Sequence, residues 1–511
     1  MSLVSHRFLR DGRDLPPELE DARVQITDLA RRQGLDFYET RFVMCSYEEI
    51  NMLAAYGGFP QRYPHWRFGM DFLQMQKSYE FGLSKIYEMV INTNPSYAYL
   101  MDCNLFVDQK LVMAHVYGHV DFFKNNLWFA HTNRRMLDTM ANHAAKVRRI
   151  MDRQGVTEVE RFIELCLSID NLIDVHGPHI RRRAAAAEGP PQDATPQVHR
   201  LPASDYMDRH INPPELFAAQ RRAAEAEPPR HPRMPAEPER CVMGFLLDHA
   251  PLAAWQREIL QIVRDEAYYF APQGQTKIMN EGWATYWHTK MMTEHILRDD
   301  EVIDYADHHA GTVATRPGQL NPYALGVQLF RHIEDRWNKG QFGKDWIDEP
   351  DLDTRRRLNT GAMQGKAKIF EVRRTHNDVS FIDAFLTEDF VREQGMFTTQ
   401  YDPRAKRWVI DSREFQQIKQ QVLSMIASRG APRVWVLDAN AHNRGELLLH
   451  HGHEGMDLDL SYADRVLGNL AGLWNRPVLL QTTLEGKPVH LRHDGAELKQ
   501  AKGHIDTEVS L

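Results

Sequence analysis

Two histidines four residues apart, His115 and His119 in the run HVYGHVDFFKNN, are the residues of this chain best spaced for chemistry. On a helix that spacing puts both imidazoles on one face, within reach of a single cation. The chain has 25 histidines, so the spacing alone is weak and its surroundings must carry the argument. Gly118 costs a helix about 1 kcal/mol relative to alanine, which a closely packed neighbour would explain. A third ligand is available in MNEGWATYWH, where Glu281 and His288 lie seven residues apart and share a helical face. His115, His119 and Glu281 then form a two-histidine, one-carboxylate set with positions left open for water or substrate. That is the pattern of a catalytic site rather than a closed structural one. We therefore expect one divalent metal, zinc foremost, with iron or manganese fitting the same ligands.

A metallohydrolase of the His-Glu-x-x-His type uses its glutamate to activate water. Here that position is Val116, which accepts no proton, so the base must come from elsewhere. His288 is one candidate, as acid–base group or fourth ligand, because an imidazole titrates at about 6.5. Glu266, in RDEAYYF, is the second, as base or as partner to a ligand. Asp121 could orient a neighbouring histidine, and Lys124, Asn125 and Asn126 could supply supporting bonds. Tyr117 points away from both histidines. The alternative to a metal is an internal network, with Glu281 paired to an arginine such as Arg264 and His288 hydrogen-bonded within the core.

Other clusters carry less. YGGFPQRYPHWRFGMDF holds Tyr56, Phe59, Tyr63, Trp66 and Phe68 among Arg62, His65 and Arg67, and either lines a groove or wedges a loop onto the core. His376, Asn377 and Asp378 suit a polar loop near a domain boundary. His450, His451 and His453 alternate along a strand pattern and so scatter across opposite faces. No GxGxxG follows a strand, GAMQGKAK lacks phosphate-loop spacing, and no GxSxG elbow is present.

The elements that must position these groups follow from composition and periodicity. The chain has 511 residues, 42% hydrophobic and 26% charged, with a formal net charge of −8 and a mean hydropathy of −0.53. That profile predicts a globular protein of several domains with no membrane span, and it argues against a nucleic-acid partner. Four separated cysteines without a CxxC pair fit a reducing cytoplasm, and the N-terminal residues lack the apolar stretch of a secretory signal. Residues 14–176 read as helical and carry the histidine pair. Residues 177–239 hold twelve prolines amid Ala, Arg and Glu, and read as an exposed, partly disordered insertion or linker. Residues 240–364 read as a second helical region, bearing NEGWATYWH and packed with 14–176. Within it, two helices should join at Pro272-Gln273-Gly274. From 365 to 500, short β-prone runs (KIFEVR, RWVIDS, RVWVLDA, GELLLHH, MDLDLS, PVLLQT) and a helix at 461–474 predict a smaller α+β module.

AHVYGHVDFFKNN at 114–126 and IVRDEAYYFAPQGQTKIMNEGWATYWH at 262–288 resemble the distinctive blocks of the SpoVR family, named for stage V sporulation protein R. NPYALGVQLFRHIEDRW at 321–337, VRRTHNDVSFIDAFLTEDF at 372–390 and YGGFPQRYPHWRFG at 56–69 extend the resemblance over roughly 14–495, apart from the Pro-rich insertion. It implies a cytoplasmic protein, linked in sporulating members to spore cortex formation and peptidoglycan. The histidine pair followed by Glu-Gly-Trp-Ala is also similar to zincin-type metallopeptidases. By that likeness His115 and His119 match the histidine ligands and Glu281 the glutamate ligand, in a predominantly helical, zincin-like region. The expectation is a metal-dependent hydrolase acting on an amide of a protein or cell-envelope-derived substrate. The alternative is a catalytically inactive, zincin-like regulator or adaptor working through protein partners.

Overall fold

Proline at the first turn, Glu18 and Glu20 beside it, and Arg31 and Arg32 in the last turn favour the first helix among the described residues, α1 (Pro17–Arg32). The computed structural model describes residues 15–80, 88–180, 212–218, 233–314, 320–402, 407–428 and 431–503. Most of the Pro-rich insertion therefore lies outside the described residues. Two units form from discontinuous stretches, Met1–Val175 with Leu252–Pro432 and His176–Pro251 with Arg433–Leu511.

In the first unit, α1 is followed by β1 (Thr40–Cys45), α2 (Tyr47–Ala55), α3 (Trp66–Glu80), β2 (Glu88–Ile91) and β3 (Ser96–Met101). Ser46 and Glu49 close a reciprocal capping box that starts α2. The strands make a sheet of order β1-β3-β2, with β1 parallel and β2 antiparallel to β3. Of the helical run expected from Gly69 until residues 92–95 stop it, α3 accounts for the part through Glu80, and Glu88–Ile91 is strand instead. EMVI and SYAYLM are short apolar runs whose periodicity fits either state, and pairing of Ala98 with Phe42 and Val90 settles them as strands.

The helices that carry the site come next: α4 (Phe106–Asn125), α5 (Met136–Gln154), α6 (Val156–Leu167), α7 (Ala254–Gln275), α8 (Lys277–Met291), α9 (Val302–Thr312) and α10 (Pro322–Lys339). The expected break at Pro272 is displaced: α7 runs through that proline and turns only at Thr276. KIFEVR is also corrected, since it lies in α11 (Gly365–Thr375), where Ile369 and Val372, one turn apart, are buried together. Then follow α12 (Asp378–Phe385), the hairpin β4 (Thr398–Asp402) with β5 (Arg407–Ser412), and α13 (Phe415–Ser428). One hydrophobic core runs through α1, α4, α8, α10, α11 and α12, with Trp283, Trp287 and Phe330 fully buried in it. No helix among the described residues is long and apolar enough to cross a membrane.

The second unit is built on a five-stranded sheet of order β10-β9-β8-β7-β6, from β6 (Val434–Ala441), β7 (Glu446–His451), β8 (Val478–Leu484), β9 (Lys487–His493) and β10 (Leu498–Lys502). Helix α14 (Leu460–Trp474) makes the crossover that the parallel β7–β8 pair requires. Helix Val242–His249 belongs to the same unit, and Glu239 bridges to Val436 on β6. MDLDLS forms no strand: Asp459 accepts the backbone N–H groups of Ser461 (2.8 Å) and Tyr462 (3.2 Å) and starts α14. A predominantly helical region followed by a smaller β-rich C-terminal module is the architecture expected from the sequence.

Two histidines away from the cluster set an acid limit on stability. Burial, reinforced by Arg336, pushes His332 down to about 4. His451, 2.8 Å from Thr482 Oγ1, is pushed to about 4 by burial and then by His453 and His450. Unfolded chain takes up these protons at about 6.5 while folded chain stays neutral, so stability present above that pH is lost as pH falls through about 4. The bound is about 3 kcal/mol per histidine, reduced by solvent screening to roughly 1–2 kcal/mol. Denaturant unfolding at pH 7 and pH 4.5 should show this loss, and a smaller one in His451→Gln. Equal losses in both proteins would remove His451 from the account.

Candidate metal centre

Helix α4 is buried on all sides from Val107 to Phe123, apart from Asp108, and lies at the centre of its unit. Gly118 is what lets α8 approach it: a Cβ there would stand 2.7 Å from Ala284 Cα. On its other side α8 meets α10 at Gly282 and Gly326, where a Cβ on either glycine would strike the partner's backbone. The start of α8 is held by Asp378, whose carboxylate accepts the N–H groups of Ile278 and Met279, both at 2.9 Å. The sequence marked Asp378 as a binding-loop residue, and its carboxylate instead fixes the helix that carries Glu281.

Asp121 ties the same layers together. Its carboxylate accepts from Trp283 Nε1 at 2.8 Å and from the Asp36 backbone N–H at 2.8 Å, and Arg373 lies 3.5 Å away. Burial pushes this carboxyl up to about 6 against the pull of Arg373. It therefore orients Trp283, not a histidine. Asn126 braces α11 through the carbonyls of Arg373 (2.7 Å) and His376 (2.9 Å), whereas Lys124 and Asn125 bond to Asp36. Tyr117 faces α1, with its hydroxyl 2.5 Å from Thr27 Oγ1.

His115, His119 and Glu281 come together, one potential ligand atom from each lying within 4.8 Å of the others. His115 Nε2 is 3.6 Å and His119 Nε2 3.5 Å from Glu281 Oε2. Two ligands of one tetrahedral zinc, each at 2.0–2.1 Å, stand about 3.4 Å apart, so the spacing suits a shared ion. The histidines are 3% and 4% exposed and the Glu281 side chain 17%. Glu281 Oε2 is buried with no hydrogen-bond partner, a costly state for a carboxylate oxygen unless a cation meets it. The expected alternative pairing with Arg264 does not form; Arg264 lies over the Tyr268 ring at 4.9 Å.

Around these three, His119 Nδ1 is 2.9 Å from Asn280 Oδ1, and His115 Nδ1 is 2.7 Å from His288 Nδ1. The His119 ring stacks on Phe123 and the His115 ring on Tyr323, while His309 lies edge-on to His288 at 5.7 Å. Sequence reasoning passed over Asn280, Tyr323 and His309. The first sits beside Glu281 in NEGW and the second in NPYALG, but neither carries a spacing that points at the histidines.

Glu266 belongs elsewhere. Its two oxygens meet Arg62 and His143, the latter at 3.2 Å, in a buried network. Arg62 comes from the aromatic run, whose Phe59 and Tyr63 are buried. That run therefore wedges onto the core, with Trp66, 54% exposed, left at its edge. The rings of His451 and His453 meet edge-on at 6.1 Å, but their polar bonds go to Thr482 and Asp457, each at 2.8 Å, and they are not among the described groups that could hold a metal ion.

Comparison with known proteins identifies the family. Residues 14–431 match the family described as SpoVR like protein, and residues 432–485 match the SpoVR-like C-terminal domain. Uncharacterized protein YcgB of Escherichia coli (strain K12) is 29% identical over 523 residues, covering 94% of this chain and 95% of that protein. No solved structure matches. The family match spans both blocks that build the His115, His119 and Glu281 cluster and continues into the β-rich module, so the chain belongs to the SpoVR family.

Proposed function

We propose that the protein is a metal-dependent hydrolase of an amide bond in a peptide-like or cell-envelope-derived substrate. The observation that carries this is the buried Glu281 Oε2, set 3.5 and 3.6 Å from two imidazole nitrogens with no hydrogen-bond donor of its own. His115, His119 and Glu281 would hold one divalent ion, zinc foremost, with iron or manganese as alternatives. When bound, such an ion supplies Lewis-acid polarisation of a carbonyl and acidifies water. Three protein ligands leave coordination free for a reacting group. Val116 is wholly buried and accepts no proton. This reading gives proton transfer to His288, whose Nδ1 lies 2.7 Å from His115 Nδ1. Glu266, engaged by Arg62 and His143, serves the scaffold in this reading. The zincin-like pairing of HxxxH with EGWA and the resemblance to a family named for a sporulation protein support the substrate class.

Valine at 116 favours a second reading, a metal-holding regulator or adaptor without turnover. Incubating zinc-, iron- or manganese-loaded protein with peptide amides and peptidoglycan-derived muropeptides, with products read by mass spectrometry, separates the two. Cleavage that a chelator reverses and that Glu281→Gln lacks is the expected outcome. Stoichiometric metal with no cleavage across the panel would leave the regulator.

A further inference from the structure

The usefulness of His119 as a ligand depends on a residue outside the histidine motif. A neutral imidazole carries one proton on two nitrogens, and only the bare nitrogen binds a cation. His119 presents Nε2 to Glu281 Oε2 at 3.5 Å and Nδ1 to Asn280 Oδ1 at 2.9 Å. An amide oxygen accepts and cannot donate, so this contact requires the proton on Nδ1 and leaves the Nε2 lone pair facing Glu281. Turned end for end, the amide would donate to Nδ1 and force the proton onto Nε2, which would close that position to a cation.

Asn280 is well placed to impose the choice. It is 9% exposed and immediately precedes Glu281 on α8. That helix is anchored by Asp378 at its start and pressed against α4 where Gly118 meets Ala284. Consecutive residues of one helix thus face the two nitrogens of a single ring, one at each edge, and of the two only Asn280 is hydrogen-bonded to it. We propose that Asn280 is a positioning residue of the centre, fixing His119 as the Nδ1–H tautomer with Nε2 turned toward Glu281. This rests on the metal-centre reading. Outer partners of ligating histidines ordinarily change metal affinity 10–100-fold when removed, roughly the size expected here.

The test compares wild type with Asn280→Ala, Asn280→Ser and Asn280→Asp in the full chain. Serine is too short to reach Nδ1, whereas aspartate keeps an accepting oxygen. Long-range proton–nitrogen NMR of metal-free protein reads the tautomer, with the His119 signal identified by its loss in His119→Gln. Zinc affinity is read by competition with a chromophoric chelator. The expected result is an Nδ1–H tautomer in wild type and Asn280→Asp, and a shift toward Nε2–H in the alanine and serine variants. Zinc binding should weaken roughly 10–100-fold in those two variants and only several-fold in Asn280→Asp. Unchanged tautomer and unchanged zinc affinity in folded Asn280→Ser or Asn280→Ala would overturn the role of Asn280 and leave the metal centre standing. Absence of zinc binding in wild type would defeat the metal centre, and the metal-free tautomer comparison would still decide what Asn280 does.

Discussion

Protein carrying Glu281→Gln should purify without bound metal, while wild type prepared without a metal-affinity column keeps one divalent ion per chain. The substitution exchanges a charged oxygen for a neutral amide of nearly the same shape. Glu281 Oε2 has no hydrogen-bond partner, so folding gives up no bond there. Relief of a buried, unpaired carboxylate should leave stability equal to wild type or above it. Metal binding loses its one anionic ligand. Removing a supporting group already costs 10–100-fold, so loss of the carboxylate should exceed roughly 100-fold. His119→Ala should match it in metal content, by removing the ligand 3.5 Å from the same oxygen. Elemental analysis with parallel thermal melts checks both. Wild-type metal content in folded Glu281→Gln would show that the ion sits elsewhere, and a collapsed melt would mark the cluster as scaffold.

The largest loss of stability is expected from Gly326→Ala. A Cβ at 326 would meet the Ile278 carbonyl oxygen and stand 2.7 Å from Gly282 Cα. Every one of these atoms is backbone, so no side chain can rotate aside, and α8 and α10 must separate. Overpacking of this kind costs at the upper end of the usual range, about 3 kcal/mol. For a unit of this size that is a fall of roughly 4 °C in melting temperature. Gly282→Ala meets the same obstacle from the other helix, with Val327 N at 2.9 Å. Because α8 also carries Asn280 and Glu281, metal affinity should fall with stability. Gly69→Ala is the control: its Cβ meets nothing within 4 Å on exposed α3, and it should be neutral or stabilising by about 0.5–1 kcal/mol. A Gly326→Ala melt within a degree or two of wild type would mean the helices contact less closely than their backbones indicate.

These glycines also show where a linear reading stops. Gly118 invites a close neighbour from its place in a helix, but that the neighbour is Ala284 emerges only when two helices far apart in sequence pack. KIFEVR looks β-prone because Ile369, Phe370 and Val372 are strand formers, yet burial of positions 369 and 372 on one helical face overrides propensity. Glu266 and Asp121 show the same limit among charged groups. In sequence Glu266 is a candidate base and Asp121 a group that could orient a histidine, and each is claimed by partners tens to hundreds of residues away, Arg62 and His143 for one and Trp283 and Asp36 for the other.

The sequence by itself determined the candidate ligand types and their local geometry, because helical periodicity is a short-range property: His115 and His119 share a face once that segment is helical. It also determined the helical body and the β-rich end, through apolar spacing and strand-forming runs. Tertiary structure alone decided that Glu281, which the sequence offers only as a candidate, comes within reach of both histidines, that Asn280 meets the far edge of His119, and that Glu266 is taken by Arg62 and His143. Those outcomes depend on which helices meet and how closely, and at Gly118, Gly282 and Gly326 that closeness is set by the absence of a side chain on both of the surfaces that touch or on one of them.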